Sequence, residues 1–272
     1  MATPSAVNKT GLAKTLGVSR ASLYYTSKQT DKDWQLKIKI ETILRTHPSY
    51  GSRRLAVALG RNRKAIRRVM RAFGIKPYRR RGRKTWGKRV IASICPNLLL
   101  TTTPLYSHHV WASDFTELAW EKKVYVATVL DLYTRQTVGL AIATRKGAAL
   151  TTQALCGALL HYHRPTIFHS DNGREYEAKA FVAVLTKLGV SISRSKPGCP
   201  WENGYQESFY GKFKLDLGDP KRFKTLGELV AAVYTTIWAY NHTRIHSALN
   251  MPPTVFARQT KNRLPERVRL SV

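Results

Sequence analysis

Acidic side chains are scarce in this sequence. Its 272 residues hold 16 Asp plus Glu against 46 Lys plus Arg, a formal net charge of +30. Such an imbalance points to a polyanionic partner, DNA or RNA. Cysteine is scarce as well. Cys95, Cys156 and Cys199 are scattered and form no C-x-x-C pair, so neither a disulfide framework nor a zinc ribbon is supported. No stretch approaches 18 uninterrupted apolar residues, and no membrane-spanning helix is expected. The opening M-A-T-P-S-A-V-N-K-T has no apolar run and does not read as a secretory signal. A reduced compartment that contains nucleic acid fits these absences. What remains is ordinary: 43% hydrophobic residues suffice for a core, and the length suits one to three domains.

The charge is uneven. Residues 1–110 carry 24 basic and 3 acidic side chains, whereas residues 111–272 carry 22 and 13. The first part reads as a grip and the second as a more balanced, catalytic part. A helix-turn-helix needs a small residue where its helices touch, a Gly in the turn and an apolar residue in the second helix. Ala13, Gly17 and Leu23 supply these, with Ser19 placed to cap the second helix. Arg20, Ser22 and Tyr24 would then face a DNA groove. The same spacing returns at Ala56, Gly60 and Ile66, with Asn62 as the cap and Arg63, Lys64, Arg67 and Arg68 on the outer face. Before it, Leu36, Ile40, Ile43 and Leu44 mark one side of a helix over 34–46. A plain helical pair with a solvated basic face would show the same residues; two tandem copies favour DNA contact. Residues 78–89, including Arg79, Arg80, Arg81, Arg83 and Lys84, contain no acid. They read as an extended linker along phosphate or in a minor groove.

From Val110 the period changes. Residues 110–118, 123–132 and 137–143 read as three strands joined by short breaks. Helices over 148–163 and 178–188 alternate with short strands over 166–170 and 191–194, and helices follow over 204–217 and 226–240. Three hairpin strands followed by crossover helices give an α/β fold, a mixed five-stranded sheet covered by helices.

Three carboxylates stand out in that region: Asp114 inside the first strand, Asp171 just past the fourth, and Glu207 on the helix that begins at Gly204. Singly, Asp171 reads equally as a turn residue of Asp-Asn-Gly, Asp114 as a strand-edge charge, and Glu207 as part of a solvated helix face. Together, if the first and fourth strands are neighbours, they form an acidic cluster that would repel DNA unless it held divalent cations. Mg²⁺ or Mn²⁺, as a pair of ions, takes such oxygen ligands. Tyr205, Phe209, Phe213 and Leu217 recur every four residues and are expected to be the buried stripe of the helix. Lys214, two turns beyond Glu207, would share its face and contact DNA. Glu202, in the loop before the helix, competes for the third ligand position. Residues 195–203 read as a mobile loop beside the site. Asp131, at a strand exit, reads as structural.

W-A-S-D-F-T at 111–116, H-S-D-N-G at 169–173 and N-G-Y-Q-E-S-F-Y-G-K-F-K at 203–214 resemble the second-reading-frame transposases of the insertion-sequence-three family. P-S-Y-G-S-R-R at 48–54 and Y-N-H-T-R-I-H-S-A-L-N-M-P-P at 240–253 resemble two further signatures of that family, so the match runs over roughly residues 35–256. The resemblance implies an RNase H-like core of retroviral-integrase type, preceded by helical DNA-binding domains. It assigns Asp114, Asp171 and Glu207 as catalytic residues and metal ligands. It implies binding to terminal inverted repeats and target DNA, a homo-oligomer on DNA, a joined or circular intermediate, and a bacterial cytoplasmic, nucleoid-associated location. It also implies an upstream-reading-frame helix-turn-helix partner. Glu202-Asn203-Gly204 departs from the Asp-Asn-Ala common in the family and leaves a role for Glu202 open. No zinc-binding His/Cys domain is present, and the segment from His242 to His246 reads as phosphate-contacting or structural. The expected division is 1–30 and 31–77 as two helix-turn-helix units, 78–109 as linker, 110–258 as core and 259–272 as a basic tail. A nuclease that cuts without joining and a catalytically silent repressor are the competing functions.

Overall fold

The computed structural model describes residues 9–24, 29–78, 95–196 and 199–260. Its centre is a five-stranded sheet: β1 (Val110–Ala119), β2 (Lys123–Asp131), β3 (Thr137–Ala143), β4 (Ile167–Ser170) and β5 (Ser191–Arg194). The spatial order is β3-β2-β1-β4-β5. The first three strands are antiparallel and β4 and β5 are parallel additions, so β1 and β4 are indeed neighbours.

Side chains alternate along each strand, so the central strands serve two cores. On one face Val110, Ala112, Val124, Val126 and Leu130 pack under α8 (Gly204–Leu217) and α9 (Leu226–His242). On the other, Trp111, Tyr125, Ala127, Val129 and Phe168 pack under α5 (Ala148–His161), the short α6 (Arg174–Glu177) and α7 (Lys179–Lys187). Contact between α5 and the sheet is close: a Cβ added at Gly139 of β3 would stand 2.3 Å from the Ala154 carbonyl oxygen. A final helix, α10, spans Pro253–Thr260.

The preceding region is helical. α1 (Lys9–Thr15) is followed by a 3₁₀ turn over Arg20–Tyr24, and then by α2 (Gln29–Thr46), α3 (Ser52–Leu59) and α4 (Arg63–Ala72). Gly17 and Gly60 both adopt left-handed backbone, φ 63° and 58°, as the two expected turns require. Ser19 Oγ accepts from Ser22 N at 3.3 Å, and Asn62 caps α4 by accepting from Lys64 N at 2.8 Å. The first unit differs from expectation in one respect: its second element is a five-residue 3₁₀ turn, not an α-helix. It has little to bury, with Leu23 only half-buried, and so short a segment gains too little from tertiary packing to complete a helix. The second unit has a core of its own in Ile40, Tyr50, Leu55, Ile66, Val69 and Met70.

That second unit is docked on the sheet domain. Ile245, just past α9, packs into its core. Arg244 Nε meets Asp216 Oδ2 at 2.6 Å, and Ser49 Oγ bonds both partners. The Ile245 amide donates to Tyr50 Oη at 2.6 Å. No helix among the described residues is long and apolar enough to cross a membrane.

Candidate active site

Parallel pairing of β1 with β4 runs through Val110–Ile167, Trp111–Phe168 and Ala112–His169. Asp114 and Asp171 each lie two residues past the last of these pairs, so strand geometry brings them level. Asp114 shares the face of Ala112, the one covered by α8. Asp171 leaves the strand in a tight Asp-Asn-Gly turn. The Gly173 amide donates to its Oδ1 at 2.9 Å, and Asn172 Nδ2 ties the turn to the Ser195 carbonyl at 2.7 Å. A Cβ at Gly173 would itself stand 2.9 Å from that Asp171 oxygen.

α8 is fixed over β1 and β2 by two buried polar side chains. Gln206 Nε2 donates to the Ala112 carbonyl at 2.6 Å, and Tyr210 Oη donates to the Asp114 carbonyl at 2.6 Å. Glu207 follows Gln206 directly and stands exposed at the edge of the site, with Lys214 half-buried two turns on. The buried side of the helix is Gln206, Phe209, Tyr210, Phe213 and Leu217. Tyr205, expected in the stripe, is 40% exposed, and the guanidinium of Arg135 lies 4.2 Å from its ring centroid.

Electrostatics tie the three carboxylates together. Burial pushes the Asp114 carboxyl up to about 7, the charge of Asp171 adds to this, and Glu207 raises it further. The Phe115 amide and Lys214 oppose the rise without cancelling it. Asp171 is raised as well, chiefly by burial, with Gly173 and Arg194 pulling it down. Asp114 is therefore the carboxylate on which the neighbouring negative charges act. Among the described residues, no three His, Cys, Asp or Glu side chains already form a cage for an ion. The chemistry of the donor set nevertheless fits a hard divalent cation: Asp171 and Glu207 both act on the Asp114 carboxyl in a strongly basic chain, and burial disfavours Asp114 as an anion until a positive charge joins it.

Glu202, the competitor, is engaged elsewhere. Its Oε2 accepts from Asn97 Nδ2 and from Lys196 N, both at 2.7 Å, and so pins the loop before α8 to the segment that leads into β1. Pro197 and Gly198 of the loop expected to be mobile lie outside the described residues. Asp131 is fully buried and accepts from His108 N, Tyr133 N and Thr134 Oγ1, a structural role as expected. His242 Nδ1 meets the Trp238 carbonyl, and His246 pairs through its backbone with Met251. Arg20, Ser22, Tyr24, Arg63, Lys64 and Arg67 are all exposed. Arg68 is committed to Asp33, with bonds of 2.6 and 3.1 Å. Arg79, Arg80, Arg81, Arg83 and Lys84 lie outside the described residues.

Two models described as integrase core domain match residues 106–200 and 188–253. The 31 kDa protein of insertion element IS600 from Shigella sonnei is 31% identical over 265 residues, covering 90% of this chain and 97% of that protein. The chain belongs to the integrase-core transposases of bacterial insertion elements. A second relative, the transposase for insertion sequence element IS904 of Lactococcus lactis, is 28% identical over 82% of this chain and 93% of its own length. In fold, the transposase resembles a chain of the simian T-cell lymphotropic virus intasome in complex with a PP2A regulatory subunit. The two are 19% identical, with a TM-score of 0.51 over 84% of this chain and 76% of that one. The RNase H-like sheet expected from sequence is thus present, with its three carboxylates on β1, the β4 exit and α8.

Sequence reasoning missed Gln206, Tyr210 and His169. His169 is fully buried, with Nδ1 2.9 Å from Ser193 Oγ and Nε2 3.0 Å from Ser195 Oγ, and burial holds its imidazole down to about 4. These contacts join β4 to β5 just before Asp171. The only sequence signal was a polar residue inside an apolar strand or on an aromatic helix face, and each of the three is polar where the core pattern calls for an apolar side chain.

Proposed function

We propose that this protein is a DNA transposase that binds the ends of its mobile element and catalyses strand cleavage and strand transfer at a site built from Asp114, Asp171 and Glu207. What supports this reading is the pairing of β1 with β4, which sets Asp114 and Asp171 level at the end of adjacent strands, in a chain that belongs to the transposases. Asp114 and Asp171 would hold Mg²⁺ or Mn²⁺ between adjacent strands, and Glu207 would complete the ligand set for a second ion. Such ions, when bound, polarise a phosphodiester and lower the pKa of a water. The chain's own part is positional. Gln206 and Tyr210 hold α8 so that Glu207 faces the strand that bears Asp114, and Gly173 fixes the direction of the Asp171 carboxylate. Lys214, on the Glu207 side of α8, binds the phosphate that borders the reacting bond. In-line attack on a held phosphodiester then depends mainly on orientation and on charge placed in advance.

The grip lies in the basic first half. Arg20, Ser22 and Tyr24 of the first unit (1–30) and Arg63, Lys64 and Arg67 of the second helix-turn-helix (31–77) contact the terminal inverted repeats, and the basic stretch 78–89 of the linker 78–109 tracks phosphate. Residues 110–258 act as the catalytic core and 259–272 as a basic tail. Arg68 contributes less, because Asp33 already occupies its guanidinium. The protein works in the bacterial cytoplasm on the nucleoid, as a homo-oligomer that bridges ends and target, with an upstream-reading-frame helix-turn-helix protein as a further partner. The decisive experiment incubates labelled element ends with Mg²⁺ and compares wild type with Glu207→Gln. Joined products from wild type alone support the reading. Cut but unjoined ends would make the protein a nuclease, and bound but intact ends a repressor.

A further inference from the structure

α8 carries a second polar face. Tyr205, Ser208 and Lys212 follow at i, i+3 and i+7, and so share one side of the helix, about a third of a turn from Glu207 and clear of the buried side. They line a cavity of about 460 Å³ with Arg135, Tyr240 and His246. Arg135 comes from the turn between β2 and β3, where its backbone is left-handed at φ 63°. A non-glycine residue rarely adopts that region, so the turn is holding this side chain in place against strain. The guanidinium stacks on Tyr205, yet its Nε and Nη1 are enclosed with no hydrogen-bond partner among the described residues. Arg54 Nε and Arg244 Nη1, nearby, are in the same condition.

Enclosed guanidinium N–H groups are costly when unpaired and mark a missing acceptor. Among the described residues, the surroundings supply none. Lys212 Nζ bonds the hydroxyl and carbonyl of its own neighbour Ser208, at 2.7 and 3.3 Å. Of the two acids in reach, Asp216 is held by Arg244 and Ser49. Glu202, which also lines the cavity, is held by Asn97 and the Lys196 amide. The cations repel one another: burial pushes the Lys212 amine down, and Arg54 and Arg244 push it further. His246 is held down to about 4 by burial and by the charges of Arg135, Arg54, Lys212 and Arg244. Positive potential is concentrated here, in a cavity large enough for a nucleotide unit.

We propose that this cavity binds a phosphate of a DNA strand, with Arg135, Lys212 and Ser208 as donors, as an anchor separate from the carboxylate site on the same helix. The assignment rests on the DNA transposase reading above. A strand held here and at Lys214 would be fixed on two sides of the helix that bears Glu207.

The test uses the full-length protein and a fluorescent duplex that carries an element end. The variant is Arg135→Asn with Lys212→Gln; Asn tolerates the left-handed backbone at 135. Affinity near physiological salt should fall roughly tenfold, and the slope of log K against log salt should shrink by about 0.9, the value for one neutralised phosphate. Lys212→Gln alone leaves the turn intact and should show a smaller loss of the same sign, which guards against misfolding of the double variant. Unchanged affinity and slope in a folded variant would overturn the proposal while leaving the transposase reading in place. A wild type that binds no duplex would overturn both. Inorganic phosphate, added at constant ionic strength in place of chloride, should raise the melting temperature of wild type and not of the variant. If phosphate stabilises wild type but the two bind DNA alike, the cavity is a free-anion site and the DNA assignment fails.

Discussion

Asp216→Ala should undock the second helical unit from the catalytic helix at a large cost in stability. Asp216 lies on α8, two residues beyond Lys214, and its side chain is 12% exposed. Arg244 is 1% exposed, and its guanidinium sits between Tyr50 and Tyr240, 5.9 Å from each ring centroid. Removal of the carboxylate leaves that cation enclosed with only the Ser49 hydroxyl, 3.0 Å from its Nη2. Breaking one side of a buried pair costs about 3–5 kcal/mol, far above the roughly 0–1 kcal/mol of a surface pair. With a urea m-value of about 3 kcal/mol/M, the midpoint should fall by roughly 1–2 M. Replacing both partners, Asp216→Leu with Arg244→Met, should recover most of the loss, because no charge is then stranded. The recovery will be incomplete: Ser49 loses both partners, worth about 1–3 kcal/mol for an unsatisfied buried hydroxyl. The measurement is a double-mutant cycle by urea unfolding. If Asp216→Ala costs less than about 1 kcal/mol, the pair is a surface contact in energetic terms and does not dock the unit.

Three further outcomes are expected. Asp114→Asn and Glu207→Gln should each abolish cleavage of labelled ends while gel-shift affinity is kept or improved, since each removes negative charge that faces phosphate; weakened binding would assign them to the grip instead. Gly173→Ala places a Cβ 2.9 Å from Asp171 Oδ1 and should lower the cleavage rate much more than the melting temperature, so a fall in stability without a fall in rate would argue against its role in aiming Asp171. His169 is protonated in the unfolded chain below its ordinary value of 6.5 but in the folded protein only below about 4. Stability is therefore full above pH 6.5 and should drop by about 3 kcal/mol as pH falls to 4, with a flatter profile in His169→Gln.

Much of the architecture was legible because period and punctuation agreed. The strand over 137–143 and the helix over 204–217 have the bounds read from sequence, and Gly60 with Asn62 marks the turn and cap of the second unit. The neighbouring of β1 and β4 was only one option among several, since pairing order is a property of the sheet and leaves no local mark. The docking of Ser49 and Tyr50 against Asp216 and Arg244 was invisible for the same reason, with up to 195 positions between partners. Glu202 illustrates a different limit: its partners, Asn97 and the Lys196 amide, show that a carboxylate near a site can serve the loop that shapes it.

The misplacement of Tyr205 has a geometric cause, and that cause explains how one helix serves three purposes. A residue advances about 100° around an α-helix, so a repeat of four drifts by about 40° at each step. Three steps separate Tyr205 from Leu217, a drift of about 120°, which carries the tyrosine out of the core. The side that stays buried follows a mixed spacing of three and four: Gln206, Phe209, Tyr210, Phe213 and Leu217. Glu207 and Lys214, seven apart, drift by only about 20° and remain together on a second side. Tyr205, Ser208 and Lys212 are left with the third. Because the core side contains Gln206 and Tyr210, bonded to the carbonyls of Ala112 and Asp114, the helix cannot slide or rotate over the sheet without breaking enclosed hydrogen bonds. That registration gives the other two sides fixed directions, one that brings Glu207 and Lys214 to act on Asp114 and one toward the cationic cavity. An apolar residue at 206 would bury as much surface and leave the direction of Glu207 unspecified.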